Sequence, residues 1–226
     1  MEKFYNCHTH VANKQTGGFL IALDGVRGSE GGYSNSEVLE KAKKAEMIPV
    51  QYITGKKDEN LETSIIKYHP RRERYTPDSV RESIQRNSPK AVIIDTLNQP
   101  FWQPNDYWNL AMAFPNIQFL FSHAGGFDIV DFLRITMFQK NVWIDFSFTQ
   151  HVFGWCGKNV PMPLVVEHIE YAMKEKKLYD KLLFGSDSMR GEEDLTFEAL
   201  ESYKKFDSYK QVKEDNFLKF LEVCAL

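Results

Sequence analysis

Eight short apolar segments recur along the 226-residue chain, and they constrain its fold more than any other feature. Several are almost continuously hydrophobic, such as Ala91–Ile94 and Ile117–Phe121. Strands that are covered on both faces have this composition, which indicates parallel pairing. The sequence therefore predicts eight parallel strands, at Phe4–Thr9, Phe19–Leu23, Ile48–Thr54, Ser64–His69, Ala91–Thr96, Ile117–His123, Val142–Phe148 and Lys181–Ser186.

Helical patterns alternate with these strands. Ser36 is a suitable cap for the first helix, and Pro77 is a favourable residue for the first turn of another. The predicted helices are Ser36–Ala45, Asp78–Arg86, Asn105–Phe114, Asp128–Gln139, Leu164–Lys176, Asp194–Lys204 and Tyr209–Cys224. The segments after the first and third strands are too short for full helices.

This alternation predicts an α/β fold, namely a compact (β/α)₈ TIM barrel with abbreviated crossovers after strands one and three. A doubly wound open sheet is the main alternative, but eight strands in a chain of this length favour a closed barrel. No linker or low-complexity segment interrupts the sequence, so we expect residues 1–226 to form a single domain.

The composition excludes several classes of protein. The net charge is −3 and the basic residues form no long tract, which argues against a nucleic-acid partner. No apolar run approaches the roughly 20 residues needed to span a bilayer, which argues against a membrane protein. The N-terminus lacks a signal-peptide pattern, and the three cysteines are widely spread. We therefore expect a cytoplasmic protein.

Residues capable of chemistry cluster at the ends of the predicted strands. His8-Thr9-His10 ends the first strand, and side chains two apart on a strand point to the same face. The active site of a barrel lies at the C-terminal ends of its strands. The candidates at these ends are His8, His10, Lys67, His69, Asp95, His123 and Asp187. Asp145 and Ser147 end the seventh strand, where we expect them to form hydrogen bonds with neighbouring loops.

Three motifs give the chain a resemblance to a known family. His8–His10, Phe121–Gly126 and Leu183–Asp187 resemble the first-, sixth- and eighth-strand motifs of the amidohydrolase superfamily. The resemblance is strongest to the amidohydrolase-related branch, which includes aminocarboxymuconate-semialdehyde decarboxylase and related lactonases. Ile66–Pro70 is similar to the fourth-strand motif of that branch, and Asn216–Leu221 to its closing helix.

The resemblance implies a metal-dependent hydrolase, although decarboxylases and lactonases occur in the same branch. His8, His10 and Asp187 would hold a divalent metal, zinc by preference, with manganese or iron also suited to the site. Such an ion activates water and polarises a carbonyl. His123 would act as general acid or electrostatic partner, and Asp187 would take the proton of the water.

Asp95 departs from the family pattern, which has a histidine ligand at the end of strand five. An aspartate is shorter than a histidine, so we expect Asp95 to be a direct or water-bridged fourth ligand of a weaker metal site. The same departure leaves two alternatives open. One is a lactonase with a metal-free site, and the other is an inactive barrel that serves as a binding protein.

The expected substrate is a small molecule, either anionic or carrying a ring. Arginines suit carboxylate or phosphate groups, and large rings can form the wall of a pocket. The candidate contacts are Lys67, His69, Arg71, Arg72, Trp102 and His151. Lys67 has an alternative role in a buried ion pair with Asp95. The aromatic side chains after strands five and seven could equally cover the barrel top or form the contact of a homodimer.

Overall fold

The structure, a computed structural model, describes residues 4–23, 32–54, 61–97, 100–147, 174, 176–189, 193–204 and 209–226. All eight predicted strands are present, and each pairs in parallel with the next one in the chain. They are β1 Tyr5–Thr9, β2 Gly17–Ile21, β3 Ile48–Tyr52, β4 Ile65–Tyr68, β5 Ala91–Asp95, β6 Gln118–Ser122, β7 Val142–Asp145 and β8 Leu182–Leu183.

The sheet curves until its first and last strands meet. Cys7 N donates to Phe184 O at 2.7 Å, and Asp187 N donates to His8 O at 2.8 Å. Thr9 pairs with Ser188 in an isolated parallel bridge. These bonds nearly close the barrel, so the predicted (β/α)₈ architecture is confirmed and the open-sheet alternative is wrong. We call this junction between β1 and residues 184–188 the β1–β8 seam.

Helices cover the outside of the sheet. The described helices are α1 Asn35–Ala45, α2 Pro70–Glu73, α3 Pro77–Asn87, α4 Pro104–Ala113, α5 Ile129–Phe138, α6 Lys176–Tyr179, α7 Glu193–Tyr203 and α8 Asn216–Cys224. One turn of π-helix, Gln211–Asp215, leads into α8. Within the described ranges, no helix is both long enough and apolar enough to cross a membrane.

The first helix begins one residue earlier than expected, because the cap is Ser34 and not Ser36. The Ser34 side chain accepts a hydrogen bond from Glu37 N, and the Glu37 side chain accepts one from Ser34 N. This reciprocal pair satisfies two backbone donors that a helix start otherwise leaves open. The predicted cap at Ser36 was therefore wrong.

The predicted abbreviated crossover after β1 is seen. Residues 10–16, between β1 and β2, contain a turn and no helix. Between β3 and β4, the described residues 53–54 and 61–64 contain no helix either. Most of the predicted helix Leu164–Lys176 and the last residue of the predicted strand Val142–Phe148 lie outside the described residues.

The barrel interior sets the position of the polar residues. Ile65, Ile93 and Trp143 belong to a buried apolar cluster that α8 completes from one end with Phe217 and Phe220. Because strand side chains alternate, the residues two positions further on also face the interior, nearer the C-terminal ends. Those residues are Lys67, Asp95 and Asp145.

Candidate active site

Seven polar side chains meet at the C-terminal ends of the strands. All are buried except Asp187, whose side chain is 15% exposed, and they are His8, His10, Lys67, Asp95, His123, Asp145 and Asp187. The pairing of β1 with β2 shifts register between Asn6 and Thr9, and bulges of this kind are common beside active sites. His8 lies within this irregular stretch, and His10 directly follows it.

His8, His10 and Asp187 form the first group of the site. Asp187 Oδ1 lies 3.2 Å from His8 Nε2 and 3.5 Å from His10 Nε2. His10 Nδ1 donates to Ile21 O at 2.9 Å, and His8 Nδ1 lies 2.9 Å from Ser147 Oγ. These bonds turn the Nε2 atoms of both imidazoles towards Asp187. The sequence-predicted ligands are thus brought together, with one ligand atom each within 4.8 Å of the others.

Their ionisation states match those of metal ligands. Burial, followed by the charge of Lys67, lowers the pKa of His8, and the same causes lower the pKa of His10 to about 4. Burial opposes ionisation of Asp187, but the neighbouring His8 and His10 hold its pKa below the usual range. Neutral imidazoles and an ionised carboxylate are the forms that bind a metal ion.

The motif Gly185-Ser186-Asp187 holds the carboxylate in place. Asp187 has φ 57°, a left-handed conformation that aspartate tolerates better than most residues. A Cβ at Gly185 would lie 3.0 Å from both Asp145 Cγ and His8 Cβ. Only glycine therefore fits between the two polar side chains without displacing one of them.

Asp95, His69 and His123 form the second group. Asp95 Oδ2 lies 3.2 Å from His123 Nε2 and 3.3 Å from His69 Nε2. Burial disfavours the charged imidazole, but Asp95 outweighs it and raises the pKa of His123 to about 9. His123 Nδ1 lies 2.6 Å from Ser147 O. His123 is thus an imidazolium that donates from both nitrogens, and Asp95 compensates its charge.

The turn after β6 explains the glycines beside His123. Residues 123–126 all have positive φ, an arrangement that L side chains rarely adopt. At Gly125, where φ is 79°, a Cβ would lie 2.1 Å from the ring of Phe132 on α5. Gly125 N also donates to Thr96 Oγ1 at 2.8 Å. The motif His123–Gly126 is therefore a tight turn that fixes the imidazole over the barrel end.

Lys67 lies between the two groups. Its Nζ is 2.6 Å from His8 Nε2, so the ammonium donates to the nitrogen that faces Asp187. Burial lowers the pKa of Lys67, while Asp95, Asp187 and Asp145 act in the opposite direction. The structure therefore places Lys67 in the barrel mouth, with Asp95 as an electrostatic neighbour.

The remaining candidates lie around this centre. Arg71 is exposed, and its charge contributes to the lowering of the His69 pKa to about 4, which burial dominates. Arg72 lies over the Tyr52 ring, and Trp102 is buried and donates to Tyr75 O at 2.7 Å. His151 lies outside the described residues. Roles in substrate binding stay predictions for all of these residues, as does the fourth-ligand role of Asp95.

Three supporting residues were not assigned to the site from the sequence. Ser147 and Asp145 were expected to bond neighbouring loops. Ser147 instead bonds His8, while Asp145 accepts from Ser147 N at 2.9 Å and His123 N at 3.2 Å. Asn6 Oδ1 accepts from His8 N and Ser186 N, and Asn6 Nδ2 donates to Ser186 Oγ. The signal for Asn6 was its position two residues before His8 in the same strand.

Several solved structures have a similar fold. No protein-family model matches the sequence, and a search of curated proteins finds no match. An uncharacterised TIM-barrel protein from Bordetella bronchiseptica is similar with a TM-score of 0.64 at 14% identity, over 94% of this chain and 80% of that chain.

Amidohydrolases share the same architecture. An amidohydrolase from Burkholderia multivorans with bound HEPES has a TM-score of 0.57 at 13% identity, over 93% of this chain and 83% of that chain. A zinc-bound structure of an amidohydrolase from the same organism gives a TM-score of 0.56, with the same identity and coverage. The chain therefore has the TIM-barrel fold that these amidohydrolases have.

Proposed function

We propose that this chain is a hydrolase of the amidohydrolase superfamily that cleaves a C–N or C–O bond of a small molecule. His8, His10 and Asp187 would hold a divalent metal, zinc by preference. The observation that carries the proposal is the convergence of His8 Nε2 and His10 Nε2 on Asp187 Oδ1, at 3.2 and 3.5 Å. A mixed set of imidazole nitrogen and carboxylate oxygen suits zinc, and also manganese or iron.

Support for a metal also comes from the residues behind the ligands. Metal-binding histidines usually donate their second nitrogen to a fixed acceptor. His10 donates to Ile21 O in this way, and His8 Nδ1 bonds Ser147 Oγ, which in turn donates to Asp145. A solved amidohydrolase with this fold has bound zinc.

Asp187 and His123 would have different roles in hydrolysis. A divalent ion in such a site activates water and polarises a substrate carbonyl. Asp187 is ionised and would take the proton of the attacking water. The ring of His123 is centred 4.9 Å from that of His8, so its positive charge would stabilise negative charge that develops on the substrate. As an acid, His123 would also protonate the leaving group.

The substrate we propose is small and anionic. Arg71 is exposed beside His69 at the start of α2, directly after β4, and its guanidinium suits a carboxylate. His69 Nε2 lies 3.3 Å from Asp95 Oδ2 and the His69 side chain is only 12% exposed, so it would form part of the wall of the binding space.

Elemental analysis and a substrate screen test this proposal together. We expect about one equivalent of metal per chain after gentle purification or after reconstitution with zinc. We also expect hydrolysis of at least one member of a set of lactones, amides and acidic sugars. His8→Ala and Asp187→Asn should lose both metal and activity. Glu40→Gln, an exposed change on α1, should keep both.

A metal-independent lactonase is the second candidate, and one observation favours it. Lys67 Nζ already donates to His8 Nε2, and its positive charge offsets the negative charge of the nearby carboxylates without an added ion. Full activity in the presence of chelator, with no metal detected, would select this candidate. Neither metal nor hydrolysis in the screen would leave the binding-protein alternative.

A further inference from the structure

The outer face of α5 carries apolar side chains that are unusually exposed. Val130 is 72% exposed, Phe138 is 61% exposed, and Phe127, in the turn directly before α5, is 50% exposed. On the neighbouring α4, Met112 is 58% exposed. Large apolar side chains that lie together on a surface mark an interaction site.

A polar groove runs through this surface. It has a volume of about 330 Å³ and lies between α4 and α5, where Trp108, Asp131 and Arg134 contribute to its lining. Within the described part of the chain, neither Asp131 nor Arg134 takes part in an ion pair. A binding partner that places opposite charges next to Asp131 and Arg134 would make the interface electrostatically complementary.

The order of the residues along α5 and the turn before it is symmetric. Phe127, Asp131, Arg134 and Phe138 are spaced four, three and four positions apart, so the spacing is the same from either end. Consider two antiparallel copies of α5, related by a twofold axis between Phe132 and Leu133. Asp131 then lies opposite Arg134 of the partner subunit, and Arg134 lies opposite Asp131 of the partner subunit. The two phenylalanines are exchanged in the same way.

We propose that this chain forms a homodimer through the outer faces of α4 and α5. Reciprocal Asp131–Arg134 ion pairs would lie at its centre, surrounded by Met112, Phe127, Val130 and Phe138. A twofold interface needs a surface that is complementary to itself, and this arrangement of two opposite charges between two rings meets that condition. An unrelated partner would have no reason to match the symmetric spacing.

The size of the surface fits a dimer. The exposed parts of Phe127 and Phe138 alone supply on the order of 200 Å² of apolar area per copy, if each ring offers about 150–250 Å² when fully exposed, and Met112 and Val130 add to this area. A standard interface buries roughly 800 Å² per partner, and slightly more than half of that area is apolar. The apolar side chains would thus form the core, and Asn105 and Asn109 of α4 would belong to the polar rim.

Sedimentation or light scattering of the full chain over a range of concentrations tests the proposal. We expect a dimer for the wild type. Asp131→Arg and Arg134→Asp each place like charges opposite one another and should raise the dissociation constant at least tenfold. The double variant D131R/R134D restores both pairs and should dimerise again. Glu82→Arg, an exposed charge reversal on α3, is the matched control and should leave the dimer intact.

A mixing experiment guards against variants that merely misfold. An equimolar mixture of the two single variants recreates complementary pairs in the mixed dimer only. We expect that mixture to form a heterodimer, while each variant alone stays a monomer. A wild-type monomer up to about 100 μM, or a dimer that both charge reversals leave unchanged, would overturn the proposal.

Discussion

Lys67 and a bound metal compete for the same nitrogen of His8. The ammonium of Lys67 donates to His8 Nε2 at 2.6 Å, and a metal ion would need the lone pair that accepts this bond. Two cations cannot share one lone pair, so Lys67 must turn away when an ion binds. The placement of a buried lysine among site histidines would therefore limit how tightly the site could hold a metal.

Replacement of Lys67 by Met should strengthen zinc binding by about tenfold or more, because it removes the competing cation and keeps the length of the side chain. Competition with a chelator of known affinity measures this effect. Lys67→Arg keeps the positive charge and is the matched control, for which we expect no gain. Weaker binding in Lys67→Met would instead show that Lys67 supports the metal.

The main residues of this site could be predicted because they follow strand alternation. Lys67, Asp95 and Asp187 come at or just after strand ends, and parallel strands bring those ends together. The supporting residues could not be found in this way. Asn6 and Ser186 are 180 positions apart, and His8 and Ser147 are 139 apart, so only the folded barrel shows that they are partners.

At the scale of the helix, α1 shows where sequence patterns mislead. Ser34 and Ser36 both lie just before the first apolar residue of the helix, and either serine could be its N-cap. The position of Glu37 decides between them, since it lies three residues after Ser34 and completes the reciprocal pair. A search for a serine followed three residues later by a glutamate would have selected Ser34.

The two serines also provide a matched test of capping. Ser34→Ala should lower the free energy of unfolding by about 1 kcal/mol, because Glu37 N loses its acceptor. Ser36→Ala should change it by less than about 0.5 kcal/mol, as expected for a helix position without a cap. Urea denaturation of both variants and the wild type measures the difference. Equal losses would argue against the observed start of α1.

On the scale of the whole molecule, the β1–β8 seam is an irregular junction. β8 was predicted to reach Ser186, but it pairs with β7 over only two residues. Residues 185–187 leave the ladder to form the turn that presents Asp187. The number and order of the strands could be predicted from apolar periodicity, whereas this irregular closure depends on contacts between the two ends of the chain.

A metal held across the seam should stabilise the whole barrel. His8 and His10 come from one side of the seam and Asp187 from the other, so an ion that binds all three favours the folded state. At about 100 times the dissociation constant, zinc should add about 2.7 kcal/mol to the free energy of unfolding. Thermal unfolding with and without zinc measures the shift. His10→Ala should abolish it, and a shift that persists in this variant would place the ion elsewhere.

The seam also sets the order in which the site can arise during synthesis. Its residues lie near the two ends of the chain: Asn6, His8 and His10 are made early, while Asp187 follows roughly 180 residues later. At a typical translation rate of about 5–20 residues per second, Asp187 is therefore synthesised on the order of ten seconds or more after the two histidines. The first seven strands can pair with their neighbours before Asp187 is synthesised. His8, His10 and Asp187 cannot come together until Asp187 has left the ribosome. Any ion that needs all three must therefore be acquired late, and a chain that stops before Asp187 would retain most of the sheet but lack the site.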